Sequence, residues 1–382
     1  MYKHAVGIIT LIACSTVSYA QSNVTIYGIV DAGVTYNDFK GNVIGNRLLL
    51  DSGGAAGNRI GFRGREDLGN GIGAIFTLEN GYSTDTGALG NNGRLFGRQS
   101  WVGLESKELG TLALGRFGTF SSGTGTFDMW SKIDPFTTAF GVASLNRTFS
   151  SGAVRLDNAI AYRSADFNGL QAGIMYSFQS DPNAVVSENA GSRNNNRSVA
   201  LGARYAAGPL FAAVTYDIFK PSVLATGPFA GRQNPTQKHL QVGAQYDFGV
   251  AALHAAYARQ TNLSIYSPIT QDLSAVGASG PTDRPDANSY MLGVSSPLGA
   301  ANGRFMASYQ YRDGKPYRTT TGVDYEGDVR IISAGYIHNL SKRTALYATA
   351  SDSTGKKSLA TGTVATSAYN LREYRIGVHH RF

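Results

Sequence analysis

Arginines alternate with apolar residues in the stretch Arg59-Ile60-Gly61-Phe62-Arg63-Gly64-Arg65, so the cations share the odd positions and Ile60 and Phe62 the even ones. Successive side chains of a β-strand point to opposite faces. The spacing therefore predicts a strand with one cationic face and one apolar face. Because a row of guanidinium groups attracts anions, the chemistry that this pattern favours is the binding or passage of anions.

Residues that could support catalysis are scattered along the chain. The run Asp51-Ser52-Gly53-Gly54 resembles part of a serine-protease nucleophile motif, but it lacks the preceding glycine and has no nearby histidine. We interpret it as a turn in an external loop. The histidines on predicted strands have no partner motif; they are His239, His254 and His338. We therefore expect no catalytic site and no enzyme activity.

Patterns for cofactors, metals and nucleic acid are also weak. The glycine-rich run 69–73 has neither the Lys-Ser/Thr pair nor the helix that a phosphate-binding loop needs. Asp31, Asp128 and Asp134 lack the spacing of a metal cage. The formal net charge is +8, but the arginines form no cluster, so we expect no nucleic-acid partner. No metal and no cofactor are predicted.

The N-terminus has the features of an export signal. Residues 1–20 contain Lys3, an apolar stretch and small residues before Gln21, which predicts a secretory signal peptide and a mature chain of residues 21–382. The alternative is a lipoprotein signal with Cys14 as the lipidated residue. Cleavage after Ala20 would remove Cys14, the only cysteine, and the mature chain would then have no disulfide bond.

The composition favours strands over helices. The 382 residues include 47 Gly, 21 Tyr and 18 Phe, and only 16% are charged, a mixture typical of short strands with aromatic faces and tight turns. No stretch of the mature chain is apolar for the 18 or more residues that a membrane helix needs. Residues 72–79 repeat the alternation, with Phe76 on an apolar face and Glu79 on a polar face.

Alternation of this kind predicts sixteen strands. They span residues 24–34, 59–66, 72–82, 98–106, 111–117, 158–164, 170–179, 197–206, 210–219, 238–248, 250–260, 288–294, 304–312, 328–339, 343–351 and 371–382. Short and long connections alternate between them, as in outer-membrane barrels. Sandwiches and propellers have no reason for such regularity. The sequence therefore predicts an all-β fold, a transmembrane 16-stranded antiparallel β-barrel.

One long connection differs from the others. Residues 119–157 show neither a strand nor a helix period, yet they contain aromatic and apolar residues such as Phe127, Trp130 and Phe140. Segments rich in aromatics are seldom disordered, and long loops in compact domains are usually functional. We expect this third external loop to fold into the barrel and narrow it.

Several motifs carry a family resemblance. They are VTIYGIVDAGV near the start, NRIGFRGREDLGNGIGAIFTLENGY, GRQSWVGLESKELGTLALGRFG and the closing REYRIGVHHRF. The mature chain resembles the Gram-negative general porin family of beta-proteobacteria. The resemblance implies a homotrimer of sixteen-stranded barrels in the cell outer membrane, each with an inward-folded third loop. It also implies that the terminal Phe382 is recognised by the outer-membrane barrel assembly machinery.

The resemblance also implies a site. Arg59 and Arg98 match the constriction arginines of anion-selective members, and Arg147 is suggested as a third. The alternation adds Arg63 to the first row, whereas Arg116 shares the parity of Leu112 and Leu114 and points inward only if its strand bends. The expected counter-charges are one residue of the wall and two of the folded loop: Glu79, Asp128 and Asp134.

The expected function is that of an outer-membrane porin, a water-filled channel for passive diffusion of small hydrophilic solutes with a preference for anions. Its partners would be small anionic and neutral solutes, outer-membrane lipid and lipopolysaccharide. The alternative is a substrate-specific channel for organic acids or phosphate, which would need a tighter arginine cluster with aromatic partners in the folded loop. Two hypotheses from other functional classes are an enzyme built on a barrel and a structural or adhesive surface protein.

Overall fold

The computed structural model describes residues 23–39, 46–137, 139–149, 155–180, 196–220, 235–262, 286–298, 302–315, 317–318, 324–325, 328–355 and 370–382. The predicted signal peptide, residues 1–20, lies outside these ranges. No helix within them is long and apolar enough to cross a membrane.

The described residues form nineteen strands and three short helical elements. The strands are β1 (Asn23–Phe39), β2 (Arg47–Ser52), β3 (Arg59–Gly69), β4 (Ile72–Gly81), β5 (Gln99–Ser106), β6 (Gly110–Gly118), β7 (Arg155–Arg163), β8 (Leu170–Ser177), β9 (Arg197–Ala207), β10 (Leu210–Lys220), β11 (Gln237–Asp247), β12 (Ala252–Thr261), β13 (Ala287–Leu298), β14 (Gly303–Gly314), β15 (Tyr317–Arg318), β16 (Asp324–Tyr325), β17 (Val329–Asn339), β18 (Thr344–Gly355) and β19 (Leu371–Arg381). The helical elements are α1 (Gly90–Gly93), a 3₁₀ helix (Gly141–Ala143) and α2 (Asn146–Phe149).

Seventeen of the strands form one closed antiparallel sheet. The sheet closes where β1 pairs with β19, from Ile29 opposite Arg381 to Phe39 opposite Leu371. The other edge of β1 pairs with β3 in its first half and with β2 in its second half. Because β2 and β3 share one position in the wall, the barrel has sixteen positions. The strands β15 and β16 pair only with each other.

All sixteen predicted strands are present, so the predicted barrel is confirmed. The sequence analysis missed β2, β15 and β16, which lie in connections predicted to be loops. In β2 the consecutive residues Leu48, Leu49 and Leu50 are all apolar and exposed, so this strand lacks the alternation on which the prediction depended.

The outer face of the barrel is apolar and the inner face is mostly polar. On β1, Val24 and Ile26 are exposed, whereas Asp31 and Thr35 point inward and are buried. The same alternation separates the exposed Val102 from inward-facing residues of β5. A lipid-facing apolar surface around a polar lumen is the pattern of outer-membrane barrels.

Residues 53–58, which we call the inner bulge, leave the wall between β2 and β3 and project inward. The Asp31 carboxylate accepts hydrogen bonds from the backbone N–H groups of Gly54 (3.0 Å), Ala55 (2.9 Å) and Ala56 (2.8 Å). The Tyr347 hydroxyl of β18 also donates to Asp31, at 2.8 Å. The predicted external turn at Asp51-Ser52-Gly53-Gly54 was thus wrong in its location, because a buried carboxylate on β1 holds its backbone inside the barrel.

The third connection does fold inward. We call residues 119–137 and 139–149, between β6 and β7, the inner loop. Nine of its larger apolar side chains are at most 1% exposed and face the wall; they are Phe120, Phe127, Met129, Trp130, Ile133, Phe136, Phe140, Leu145 and Phe149. Burying each such side chain contributes about 1.5–3 kcal/mol. The wall residues that they contact belong to strands from β5 to β18, so the loop follows most of the circumference.

Replacing Asp31 by alanine should destabilise the barrel. Three N–H groups of the bulge and the Tyr347 hydroxyl would lose a charged acceptor. Since a hydrogen bond to a charged group contributes about 1.5–3 kcal/mol, we expect Asp31→Ala to lower the free energy of unfolding by about 3 kcal/mol or more. Urea unfolding in lipid vesicles, followed by the fluorescence of Trp101 and Trp130, measures the change.

The control for that experiment is Asp313→Ala, because Asp313 is exposed and a surface substitution usually changes stability by less than about 0.5 kcal/mol. Equal destabilisation by the two substitutions would contradict the role of Asp31.

Candidate channel constriction

The first part of the inner loop is attached to the wall beside β5 and β7. The side-chain amide oxygen of Gln99 accepts hydrogen bonds from the backbone and hydroxyl of Thr126, both at 2.9 Å. Arg163 donates to the Thr126 carbonyl at 2.8 Å, and its guanidinium lies 5.4 Å from the centre of the Phe127 ring. Phe127 in turn packs against Trp101 and Phe117. These contacts fix the point at which the loop leaves the wall.

The far part of the loop is held by strands on the other side of the barrel. Gln310 of β14 accepts from the Thr148 hydroxyl and donates to the Ala143 carbonyl, both at 2.7 Å. Glu373 of β19 accepts from the Val142 N–H at 3.0 Å. The Phe140 N–H donates to the Gly54 carbonyl of the inner bulge at 2.8 Å. The loop is therefore anchored on both sides of the lumen.

The two loop acids that were predicted as counter-charges stabilise the loop itself. Asp128 accepts hydrogen bonds from the N–H groups of Trp130 (3.0 Å) and Ser131 (3.1 Å). Asp134 does the same for Phe136 and Leu145, both at 2.9 Å. Burial raises the pKa of the Asp128 carboxyl, and the hydrogen bonds from Trp130 and Ser131 act in the opposite direction. Both carboxylates therefore accept hydrogen bonds from backbone N–H groups and stabilise turns of the loop.

Arg59, Arg98 and Glu79 come together on the wall formed by β3, β4 and the start of β5. Glu79 lies on β4, opposite Gly61 and therefore diagonal to Arg59 on β3. Its carboxylate forms an ion pair with the Arg98 guanidinium at 2.7 Å and accepts from the Tyr27 hydroxyl at 2.9 Å. The strand alternation that the sequence analysis used thus brings these three predicted residues into one cluster.

Arg98 bridges the wall and the inner loop. In addition to its ion pair with Glu79, it donates to the Thr124 hydroxyl of the loop at 3.0 Å. It passes close to the inner bulge, because a Cβ on Gly57 would lie only 3.0 Å from Arg98 Nη1. The Arg59 guanidinium donates to the Gly57 carbonyl at 2.9 Å. Bulge, wall and loop therefore meet at these two arginines.

Arg155 joins the cluster, and the sequence analysis missed it. It begins β7, and its guanidinium interacts electrostatically with those of Arg98, Arg116 and Arg59 and with the Glu79 carboxylate. Residue 155 was placed in the long connection because the predicted strand started only at Asn158. The alternation of charged and apolar residues in Arg155-Leu156-Asp157 was the signal that could have extended that strand.

The other predicted arginines lie elsewhere. Arg63 lies on the same face of β3, four residues beyond Arg59, with its guanidinium 5.2 Å from the centre of the Tyr27 ring. Arg147 belongs to α2, which contacts β13 and β14, and donates to the Gly141 carbonyl at 3.2 Å. The structure therefore places Arg147 five or six wall positions from β3.

Arg116 pairs with Asp157 at the edge of the cluster, next to Arg155. It is opposite Ser100, in the alternation of the outward Leu112 and Leu114. Its guanidinium forms an ion pair with Asp157 and donates to the Gly97 carbonyl at 2.8 Å. Asp157 also pairs with Arg94 at 2.7 Å.

The clustered charges do not cancel. Arg59, Arg98 and Arg155 carry three positive charges and Glu79 one negative charge, a net of two positive. Among the described residues, no group of three His, Cys, Asp or Glu side chains is placed to hold a metal ion. Chemically, the arrangement can attract anions and offers no nucleophile with an adjacent base.

Known proteins are similar to this chain in sequence and in fold. The family profile described as Gram-negative porin matches residues 7–358. An outer membrane porin protein of Bordetella pertussis is 36% identical over 354 residues, covering 86% of this chain and 88% of that protein. Outer membrane porin protein 32 of Delftia acidovorans is 30% identical over 394 residues and covers 100% of both chains.

Solved structures of porins have the same fold as this chain. The anion-selective porin from Comamonas acidovorans has a TM-score of 0.70 at 28% identity, covering 95% of this chain and 100% of that one. The trimer form of OmpT from Vibrio cholerae shares the fold, with a TM-score of 0.60 at 13% identity and coverage of 94% and 99%. The protein therefore belongs to the Gram-negative porin family and forms a porin channel in the outer membrane.

Proposed function

We propose that the channel passes small hydrophilic solutes by passive diffusion and prefers anions, and that Arg59, Arg98 and Arg155 create the preference. The observation that carries the proposal is the net positive charge of this cluster where the inner loop, the inner bulge and the wall meet. A similar solved structure is that of an anion-selective porin from Comamonas acidovorans. The same chemistry in this chain follows from its own residues.

The preference arises from the distance over which fixed charges act. At physiological ionic strength the screening length is about 8 Å. Guanidinium groups on the wall of a constriction of that order therefore raise the anion concentration and lower the cation concentration over its whole cross-section. Fixed charge is sufficient for this selection, and a solute that is held only weakly passes quickly.

Glu79 and the two loop acids determine how much positive charge is left. Glu79 neutralises part of the cluster through its 2.7 Å ion pair with Arg98. Asp128 and Asp134 hold turns of the loop and contribute to the field of the lumen from a greater distance. In this proposal Arg63 extends the positive row and Arg147 acts from the far side.

The assembly that we propose is a homotrimer. The outer faces of β1, β17, β18 and β19 form an apolar depression of about 530 Å³ that includes Val34, Tyr36, Ala348, Tyr374 and Ile376. A flat apolar sector with small residues suits packing between barrels. We also propose that the barrel assembly machinery recognises Phe382, whose side chain is exposed beside the apolar row of β19.

The double substitution Arg59→Ala and Arg98→Ala should reduce the preference for chloride, because it removes two of the three clustered cations. The reversal potential under a KCl gradient, measured in a planar bilayer, reports the change. The control is Arg65→Ala, since Arg65 pairs with Glu105 at 3.4 Å, away from the cluster. An unchanged reversal potential in the double variant would remove these residues from the filter. Saturation of the current by one organic acid or by phosphate would instead support a substrate-specific channel.

The substitution Glu79→Gln should have the opposite effect. It keeps one of the two side-chain oxygens that accept from Tyr27 and Arg98 but removes the negative charge of the cluster. We expect the reversal potential to shift further toward that of chloride at the same unitary conductance within about twofold. A shift toward potassium would contradict the proposed role of Glu79.

Arg155 and Arg116 provide a test between two neighbouring arginines. Arg155→Gln should lower the anion preference because its charge adds to those of Arg59 and Arg98. Arg116→Gln should change it less, because Arg116 is paired with Asp157, a carboxylate that it shares with Arg94. Reversal potentials of the two variants, measured at low and high salt, show which arginine contributes more to the anion preference. A larger effect of Arg116→Gln would contradict the proposed role of Arg155.

A further inference from the structure

Tyr27 of β1 faces the lumen beside the arginine cluster. It lies on the inward face, because it shares the parity of the buried Asp31. The strand register places Tyr27 opposite Gly61 of β3, and it places Gly61 opposite Glu79 of β4. Tyr27, Gly61 and Glu79 therefore form one row across three adjacent strands, with the glycine in the middle.

Gly61 allows the Tyr27 side chain to cross β3. A Cβ on Gly61 would lie only 2.5 Å from Tyr27 Cζ and 2.7 Å from the hydroxyl oxygen, so the ring lies directly on the glycine backbone. Adjacent strands are about 4.8 Å apart, and the side chain reaches from β1 over β3 to β4. There its hydroxyl donates to Glu79 Oε2 at 2.9 Å. Any side chain at position 61 would obstruct this path.

Each oxygen of the Glu79 carboxylate has a different donor. Oε1 accepts from Arg98 Nε at 2.7 Å, and Oε2 accepts from the Tyr27 hydroxyl. Glu79 is only 2% exposed, and a buried acceptor that loses its donor costs about 1–3 kcal/mol or more. The Tyr27 hydroxyl therefore helps to determine the direction in which the carboxylate is turned.

Arg59 is the cation that this arrangement leaves unpaired. It lies diagonal to Glu79 and acts on it electrostatically, yet the two form no ion pair in the part of the chain that the structure describes. Within the same part of the chain, the one hydrogen bond of the Arg59 side chain joins its Nε to the Gly57 carbonyl at 2.9 Å. Both Nη atoms therefore remain available to a passing anion.

From these contacts we propose that Tyr27 is a positioning residue of the filter, whose hydroxyl holds the Glu79 carboxylate away from Arg59. The inference rests on the proposed function, because it gives the reason why Arg59 is free to meet anions. Without the hydroxyl, Glu79 Oε2 loses its donor and turns to Arg59, since hydrogen bonds between charged groups are the stronger ones. The total charge of the cluster stays the same, but Arg59 then holds a carboxylate of the protein in place of a solute.

The substitution Tyr27→Phe tests the proposal, because it removes the hydroxyl and keeps the ring that lies 5.2 Å from the Arg63 guanidinium. The readout is the permeability ratio of chloride to potassium, obtained from the reversal potential under a KCl gradient. We expect this ratio to fall at least about twofold, because a unit charge that moves a few ångströms closer to a permeating ion changes the concentration of that ion by about this factor in water.

The matched control is Tyr82→Phe. It also removes one hydroxyl close to Arg59, but this hydroxyl donates to the Ile29 carbonyl at 3.2 Å and not to a charged group. The permeability ratio of the control should equal that of the wild type. A fall in Tyr82→Phe as large as that in Tyr27→Phe would contradict a specific role of the bond to Glu79.

A double-variant cycle distinguishes positioning of a charge from a local change of shape. In the Glu79→Gln background there is no negative charge to position, so the addition of Tyr27→Phe should leave the permeability ratio of that background unchanged. Equal effects of Tyr27→Phe in the wild type and in the Glu79→Gln background would overturn the proposal.

Gly61→Ala reaches the same hydrogen bond by another route. The new Cβ displaces the Tyr27 ring from β3, although every polar group of the cluster is kept. The permeability ratio should therefore fall, as it does in Tyr27→Phe. The two variants are independent, so that either one decides the question if the other does not insert as a conducting channel. A conducting variant with the wild-type ratio would contradict the role of Tyr27.

The same recordings separate this inference from the proposed function. A wild-type channel without chloride preference would contradict the proposed function, and a shift toward potassium in Tyr27→Phe would then still support the positioning of Glu79. A chloride-preferring wild type whose ratio is unchanged in both Tyr27→Phe and Gly61→Ala would contradict only the role of Tyr27.

Discussion

The pairing of β1 with β19 is the constraint on which the rest of the structure depends. A strand edge inside a bilayer would leave backbone N–H and C=O groups without partners, and each unsatisfied group costs several kcal/mol. The ladder from Ile29 to Phe39 removes that edge, and Gly28 and Phe382 extend it by exchanging two hydrogen bonds of 3.1 Å. Closure also brings Asp31 of β1 next to Tyr347 of β18, although 316 residues separate them in sequence. Because Asp31 also accepts hydrogen bonds from the inner bulge, the bulge is attached to this seam.

A barrel of sixteen strands encloses more space than its own side chains fill. The inner loop occupies that space with a layer of aromatic residues on the wall and a polar backbone toward the lumen. Its carboxylates, Asp128 and Asp134, stabilise the turns that let a chain without regular structure follow a curved surface. As a result the wall of β3, β4 and β7 keeps arginines that outnumber their acidic neighbours.

The alternation of residues was enough to predict the barrel, because which face a side chain occupies in a strand depends only on its parity. It was enough for Arg59 and Glu79 as well, since both lie within regular strands. It failed for β2, whose three consecutive leucines hide the period, and for Arg155, which lies where a strand emerges from an irregular connection. It also left Arg116 undecided, and the structure pairs that side chain with Asp157.

By itself the sequence determined the sixteen-stranded barrel, the apolar outer face and the inward row of Arg59 and Arg63, because strand periodicity is local. Only the tertiary structure decided which charges neighbour one another. The ion pair of Arg98 with Glu79 requires β4 to pair with β5, and the contact of Arg98 with Thr124 requires the first part of the inner loop to lie against that wall. The hydrogen bond of Tyr347 to Asp31 requires the barrel to close. Such contacts join residues that are distant in the chain, and no local pattern of side chains encodes them.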